Sequence, residues 1–304
     1  MEKVLGVLPP FIYLLFLGLE RLVPARPLAP IPRWRLKGLL FFLLGGLLVG
    51  GLPAAWTPFA RAHRLLNLEG LGTWAGAAVA IVVNDLLGYA VHRLRHRPPL
   101  WRLHQMHHSA ERLDVAGAFY FHPLDTVVYA FTATFLSSFL VGVSAPAAAL
   151  AGSFGFLIAV FEHANVRTPR WLGFIVQRPE AHAIHHQRGV HGFNYGGLAL
   201  WDAVFGTYRN PRTWDGQAGF WDGASRQLWA LLVGTDVTHP VEVRGVADGV
   251  PLRPDAGAAR RPTAEMKHRG RVRSAAVDTT VGSNNELEFK RCVGYDSLPR
   301  PRRF

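Results

Sequence analysis

From Asn84 to His108 the chain reads NDLLGYAVHRLRHRPPLWRLHQMHH, five histidines within the seventeen residues 92–108, at the end of an apolar run. An α-helix turns once in about 3.6 residues, so side chains three or four apart share a face. His92 and His96 therefore project together, and Tyr89 and Asp85 continue the same stripe backward. Pro98 and Pro99 end this helix, and Trp101 opens another on which His104, His107 and His108 stand at i, i+3 and i+4. The same offsets return after Pro179, where EAHAIHH carries His182, His185 and His186, and His163 lies between in FEHAN. Neutral imidazoles at helical spacing can converge on one or two ions of iron, zinc, copper or nickel without backbone strain. Arg93, Arg95, Arg97 and Arg102 interleave with the histidines. A basic lipid-facing surface accounts for these arginines but not for the repeated histidine spacing.

The rest of the chain sets these groups against a membrane. Of 304 residues 49% are hydrophobic, and several uninterrupted apolar stretches approach the roughly 20 residues a helix needs to cross a bilayer. The first runs from Val4 to Leu22; Glu20 and Arg21 lie at its end without a small-residue cleavage site, so an uncleaved anchor is expected. The connector after it, with Pro24, Pro27, Pro30 and Pro32, carries Arg21, Arg26, Arg33, Arg35 and Lys37, which the positive-inside rule puts in the cytosol. A second span is expected over about Gly38–Ala55 and a third over about Leu71–Val91. The stretch from Thr126 to Phe161 is nearly free of charge and breaks around Ser144–Pro146, which predicts a two-span hairpin. With the connector cytosolic, this count of spans brings every histidine group to the cytosolic face.

The net charge of +12 does not point to nucleic acid, because 29 of the 33 basic residues are arginines concentrated beside apolar segments and in the tail; contact with anionic lipid is the expectation. Cys292 is the single cysteine, so neither an intramolecular disulfide nor a cysteine-rich zinc module is available. Residues 1–243 read as one membrane-embedded catalytic domain, and 244–304 as a disordered basic tail.

Around the histidine groups, other polar residues invite roles. Asp85 lies two helical turns, about 10 Å, from His92. This distance favours a carboxylate that accepts a ligating histidine's other ring N–H or pairs with an arginine over one that binds the same ion; a plain helix-packing hydrogen bond is the alternative. Tyr89 has the same two readings, supporting the site or packing. His122, in HPLD, reads as a further ligand, a group supporting one, or a turn residue ahead of Pro123. Asp202 reads as a partner of the kind proposed for Asp85, a helix cap, or an arginine's ion pair.

HRLRH, HQMHH and HAIHH, together with the HPLD, NYG and LWDAVFGTY strings, resemble the integral-membrane fatty acid hydroxylase and sterol desaturase superfamily over about Leu71–Tyr208. The resemblance implies an all-α polytopic bundle of about four to five spans, with a cytosolic helical cap holding a histidine-ligated di-iron centre. It implies His92, His96, His104, His107, His108, His163, His182, His185 and His186 as ligands. The family often pairs a second histidine with the one at 163, but here positions 159 and 167 are Ala159 and Arg167. Asn165, His122, His191 or water is left to complete the set.

The implied activity is O2-dependent hydroxylation, or desaturation, of a fatty acyl, sterol, ether-lipid or carotenoid substrate, with zinc able to substitute for iron on purification. The chain shows no haem-attachment motif, no GxGxxG and no iron–sulfur cysteine set, so electrons are expected from a ferredoxin, or from a b-type cytochrome with its reductase. The site is expected at the cytosolic face of a bacterial inner membrane. Two other classes compete. A zinc-dependent lipid hydrolase would usually mix carboxylates with histidine, and no HExxH is present. A non-catalytic metal-binding or transport protein would carry polar ligands through successive spans.

Overall fold

The computed structural model describes residues 2–240, with side chains from Val7 onward; the tail expected over 244–304 lies outside the described residues. Eleven α-helices carry the described part: α1 (Glu2–Leu22), α2 (Trp34–Gly51), α3 (Pro53–Ala62), α4 (Gly72–Arg95), α5 (Trp101–His108), α6 (Pro123–Ala130), α7 (Ser137–Val141), α8 (Ala145–His163), α9 (Pro179–His185), α10 (Ala199–Val204) and α11 (Leu228–Leu232). Extended pairing among the described residues is limited to two isolated bridges, Val176 with Leu198 and Gln187 with Ala218. The architecture is an all-α bundle.

Four helical rods are long and apolar enough to cross a membrane: Trp34–Ala62, Glu69–Arg95, Pro123–Val141 and Ala145–His163. The shorter two have 19 residues each, which at the helical rise gives roughly 28 Å, close to the thickness of a hydrocarbon core. Their surfaces are inverted relative to a water-soluble helix. Leu39, Leu40, Leu43 and Leu47 on α2 are all exposed, an outside suited to lipid. The first of these rods, Trp34–Ala62, overruns the expected second span, Gly38–Ala55, at both ends. Pro53 sits at the first turn of α3, and Leu52 keeps a right-handed helical backbone, so α2 and α3 continue as one rod. In the third rod a π-helical turn, Phe131–Leu136, joins α6 to α7.

The expected hairpin forms, and its reversal falls at Gly142 to Ser144. Gly142 has φ +43°, and a Cβ there would stand 2.7 Å from the Leu66 carbonyl oxygen. Alanines let α8 lie close along α4: Ala77 and Ala80 pack with Ala147 and Ala151, and a Cβ added at Gly76 would meet Ala147 at 3.1 Å. The consequence is positional. The carboxyl ends of α4 and α8 emerge side by side, and α5 and α9 fold beneath them. Beyond α10 the chain continues as part of this helical cap, not as a linker. Tyr120 Oη donates to the Ser225 carbonyl oxygen, Gln105 bridges Thr235 and Val237, and Leu231 and Val237 are buried against Met106 and Trp34.

Candidate metal centre

Two groups of histidines face one another inside the cap. His92, His96, His104, His108 and His185 offer one nitrogen each within 4.8 Å of one another, and His107, His163, His182 and His186 form a second such set. The division does not follow the sequence motifs. On α5 the i and i+4 members, His104 and His108, join His92 on α4 and His96 just past its end, whereas His107 crosses to the second set. At α9 the reverse holds: His182 and His186 stay with His163 and His107, and His185 crosses to the first. Each HxxHH run therefore serves both sets, because residues 3 apart on a helix diverge by about 60° and can address two neighbouring centres.

The ring orientations identify what belongs between them. His92 Nδ1 donates to the Tyr195 carbonyl oxygen at 2.8 Å, and His185 Nδ1 donates to the Phe193 carbonyl oxygen at 2.8 Å. A neutral imidazole has one N–H, so both Nε2 atoms carry lone pairs. They nevertheless stand 3.0 Å apart. Two acceptors at that distance repel unless a cation lies against both. In the second set the Nε2 atoms of His107 and His163 are 3.0 Å apart, those of His163 and His182 3.2 Å, and those of His182 and His186 3.1 Å. Ligands about 2.1 Å from a metal and at right angles to each other are separated by about 3 Å. His96, 2% exposed, has no hydrogen-bond partner on either nitrogen. The donor set thus fits metal ions.

Burial keeps these rings in the ligating form. It pushes His96, His107, His108, His182, His185 and His186 well below the ordinary imidazole range, and the neighbouring rings add to the effect. His104 is also lowered by burial, opposed by Asp125.

Asp125, the aspartate of HPLD, was not singled out from the sequence. Its Oδ2 accepts from His104 Nδ1 at 2.9 Å and its Oδ1 lies 3.0 Å from Arg95 Nε. It thereby has the role expected of Asp85. Asp85 reaches neither an imidazole nor an arginine; its Oδ1 accepts from Gly197 N at 2.8 Å and Leu198 N at 3.0 Å. Asp202 works beside it, accepting from Tyr195 N, Gly196 N and the Thr207 hydroxyl. Together the two aspartates hold the 195–198 loop, whose Tyr195 carbonyl orients His92. The Tyr195 ring stands against His92, His96 and His185 with centroids 5.2–5.4 Å away.

The remaining residues lie outside both sets. His122 caps α6 through Nδ1, which accepts from Leu124 N, and its Nε2 donates to the Leu232 carbonyl oxygen. Both nitrogens are thereby engaged. Asn165 donates to the Arg26 carbonyl oxygen and ties the connector after α1 to the end of α8. His191 donates from Nδ1 to the His185 carbonyl oxygen, its ring 4.9 Å from that of His108. Tyr89 shares a hydrogen bond with Thr207, receives one from Arg93 and stacks on Phe205, so it supports the loop region.

Residues 77–207 match the family model for fatty acid hydroxylases. The ornithine lipid hydroxylase of Rhizobium tropici is 33% identical over 139 residues, 44% of this chain and 41% of that protein. The alkylglycerol monooxygenase of Homo sapiens is 29% identical over 154 residues, 48% of this chain and 33% of that protein. The Delta(7)-sterol 5(6)-desaturase of Gibberella zeae is 27% identical over 164 residues, 50% of this chain and 48% of that protein. The chain therefore spans about a third to a half of the lengths of these relatives. No solved structure matches it. The matched segment, 131 of the 304 residues, encloses all nine clustered histidines, and over it the chain is similar to the fatty acid hydroxylases.

Proposed function

We propose that the two histidine sets hold two irons, and that the protein uses O2 to hydroxylate a carbon chain of a membrane lipid. The observation that carries this reading is the facing lone pairs of His92 and His185, 3.0 Å apart, in an all-histidine site beneath a lipid-facing bundle. Unactivated C–H bonds are not attacked by side-chain acids or nucleophiles; the irons, when bound, supply the O2 chemistry. The chain's own residues do the rest. Backbone carbonyls and Asp125 fix the tautomers of His92, His104, His163 and His185, leaving each Nε2 free to ligate. Phe121, stacked on His107 at 3.9 Å, and Trp101, between His96 and His108, help keep bulk water from the rings.

The lipid enters laterally from the bilayer, and electrons come from a separate ferredoxin, or from a b-type cytochrome with its reductase. The arginines of the 23–37 connector support a cytosolic site at a bacterial inner membrane. Similarity to a lipid hydroxylase and a monooxygenase supports hydroxylation as the reaction, within a superfamily that also desaturates.

The test is elemental analysis of protein purified anaerobically in detergent under iron-replete conditions, alongside His104→Ala and His182→Ala. This is followed by lipid mass spectrometry with an electron donor and O2. Two irons per parent chain, fewer in each variant, and a lipid product heavier by one oxygen are expected. Metal-free parent protein would sink the centre; zinc that iron cannot replace, with no O2 consumed, would move a hydrolase ahead.

A further inference from the structure

The short helix α10 is amphipathic in the wrong sense for water. Its buried residues are Ala199 and Asp202, whereas Leu200, Ala203 and Val204, at i, i+3 and i+4, share an exposed face. A helix at a water surface turns its charge outward and its apolar stripe inward. Phe205, the next residue, is 50% exposed. The turn Arg170–Phe174 adjoins this helix, because the Ala199 N–H donates to the Ile175 carbonyl oxygen at 3.1 Å, and it adds Trp171, Phe174 and Ile175, all exposed. Exposed Arg170 and Arg209 flank the two pieces along the chain, a charge that lipid phosphates attract.

The height of this patch on the bundle identifies its partner. Asp85 Oδ1 accepts from Gly197 N and Leu198 N just ahead of α10, and the Tyr89 ring stacks on Phe205 just beyond it, at 5.1 Å. The helix is thereby fastened at both ends to residues 85–89 of α4. The rod Glu69–Arg95 has 27 residues, roughly 40 Å, about 10 Å more than a hydrocarbon core of about 30 Å. Asp85 lies about 15 Å from the Arg95 end, so it stays inside the hydrocarbon even where the whole excess projects on the cap side, and tilt only deepens it. Past His163, the other exposed large apolar side chains among the described residues are Trp229 and Val233 on α11. That helix too adjoins a rod, its Leu232 carbonyl oxygen accepting from His122 at the start of Pro123–Val141.

We propose that α10 and the turn Arg170–Phe174 are sunk in the lipid leaflet that adjoins the cap, with acyl chains covering the apolar patch. The inference rests on the rods spanning a bilayer and not on the reading of the histidines as iron ligands. α10 is too short to cross; it is an anchor that holds the cap down on the membrane. The 195–198 loop, whose Tyr195 carbonyl orients His92, runs directly into it, so lipid contact and the histidine centre are joined by one short strap.

The experiment places single cysteines in a Cys292→Ala background: Val204→Cys and Phe174→Cys in the patch, Leu43→Cys on the exposed face of α2, and Asp222→Cys, whose native side chain is 93% exposed on the cap. Each carries an environment-sensitive fluorophore, and the full chain is reconstituted in phosphatidylcholine and phosphatidylglycerol vesicles. Lipid with a doxyl group on its acyl chain quenches from the membrane, and iodide quenches from water. The labels at 204 and 174 should behave like that at 43, shielded from iodide and quenched by doxyl lipid about threefold or more beyond the label at 222. Labels at 204 and 174 that follow the one at 222 would overturn the proposal. Shielding from both quenchers would also overturn it and give the patch to a second copy of the chain. A label at 43 open to iodide would remove the membrane placement beneath it, with the metal reading left to its own test. Should a label at 174 or 204 prevent folding, Ala203→Cys on the same exposed stripe takes its place.

Discussion

Asp125 Oδ2 accepts from His104 Nδ1 at 2.9 Å, while Oδ1 of the same carboxylate lies 3.0 Å from Arg95 Nε. One side chain, 1% exposed, thus ties α4, α5 and α6 together at the point where the clustered imidazoles converge. Asp125→Asn removes the charge that holds His104 in its ligating tautomer. Iron affinity should fall by roughly 10–100-fold, read from chelator competition. Asp125→Ala should also destabilise the fold by about 3–5 kcal/mol, because Arg95 is left buried without its counter-charge. Unchanged iron retention in Asp125→Asn would refute the orienting role.

The crossing of the HxxHH runs makes a second prediction, one about adjacent residues. His107→Ala and His108→Ala are neighbours in sequence but belong to different sets. Each should lose iron from a different site. The spectrum left in His107→Ala should match that of His163→Ala, and the spectrum of His108→Ala that of His185→Ala. Mössbauer spectra of the four variants check this, and identical spectra for His107→Ala and His108→Ala would contradict the division.

How much of this was written in the chain differs residue by residue. The nine histidines were legible because helical spacing is a local rule: Pro98, Pro99 and Pro179 mark the breaks, and the apolar runs mark the spans. Which histidine meets which was not legible. His185 joins the histidines of α4 and α5 instead of its own helix-mates, its Nε2 3.0 Å from that of His92, a tertiary fact. Asp125 lies inside the HPLD string beside a histidine that serves as a helix cap, and its partner His104 is 21 residues away, beyond any local spacing rule. Asp85 was legible as a polar residue in a span but not its partners, since backbone amides of a loop 112 residues away leave no sequence signal.

That loop supplies the third prediction. Asp202 satisfies Tyr195 N and Gly196 N, and Asp85 satisfies Gly197 N and Leu198 N. Removing either carboxylate leaves buried donors unpaired, at about 1–3 kcal/mol for each lost partner. Asp85→Ala and Asp202→Ala should therefore lower the unfolding midpoint. The double variant should depart from additivity by at least about 0.5 kcal/mol, because the two carboxylates hold consecutive peptides. Gly197→Ala should show a milder version, its Cβ 3.0 Å from Asp85 Oδ1. Thermal unfolding in detergent with a double-mutant cycle measures all four.

Acid should unfold the metal-free protein for a reason visible in the cap. Burial pushes His191 from the usual 6.5 down to about 4, and the clustered imidazoles outside the spans are lowered in the same direction. Above pH 6.5 these rings are neutral in both folded and unfolded chains, so they add no pH dependence. As pH falls below 6.5 the unfolded chain takes up protons that the folded one refuses, and stability drops until the folded pKa is reached. His191 alone is worth up to about 3 kcal/mol over that window. His191→Asn, which keeps a donor toward the His185 carbonyl oxygen but does not titrate, should flatten part of the slope. The check is the unfolding midpoint of both proteins, metal-free, from pH 7.5 to pH 4.5. A parent profile flat across that range would mean that the cap histidines are not buried neutral, and identical slopes in parent and variant would remove His191 from the account.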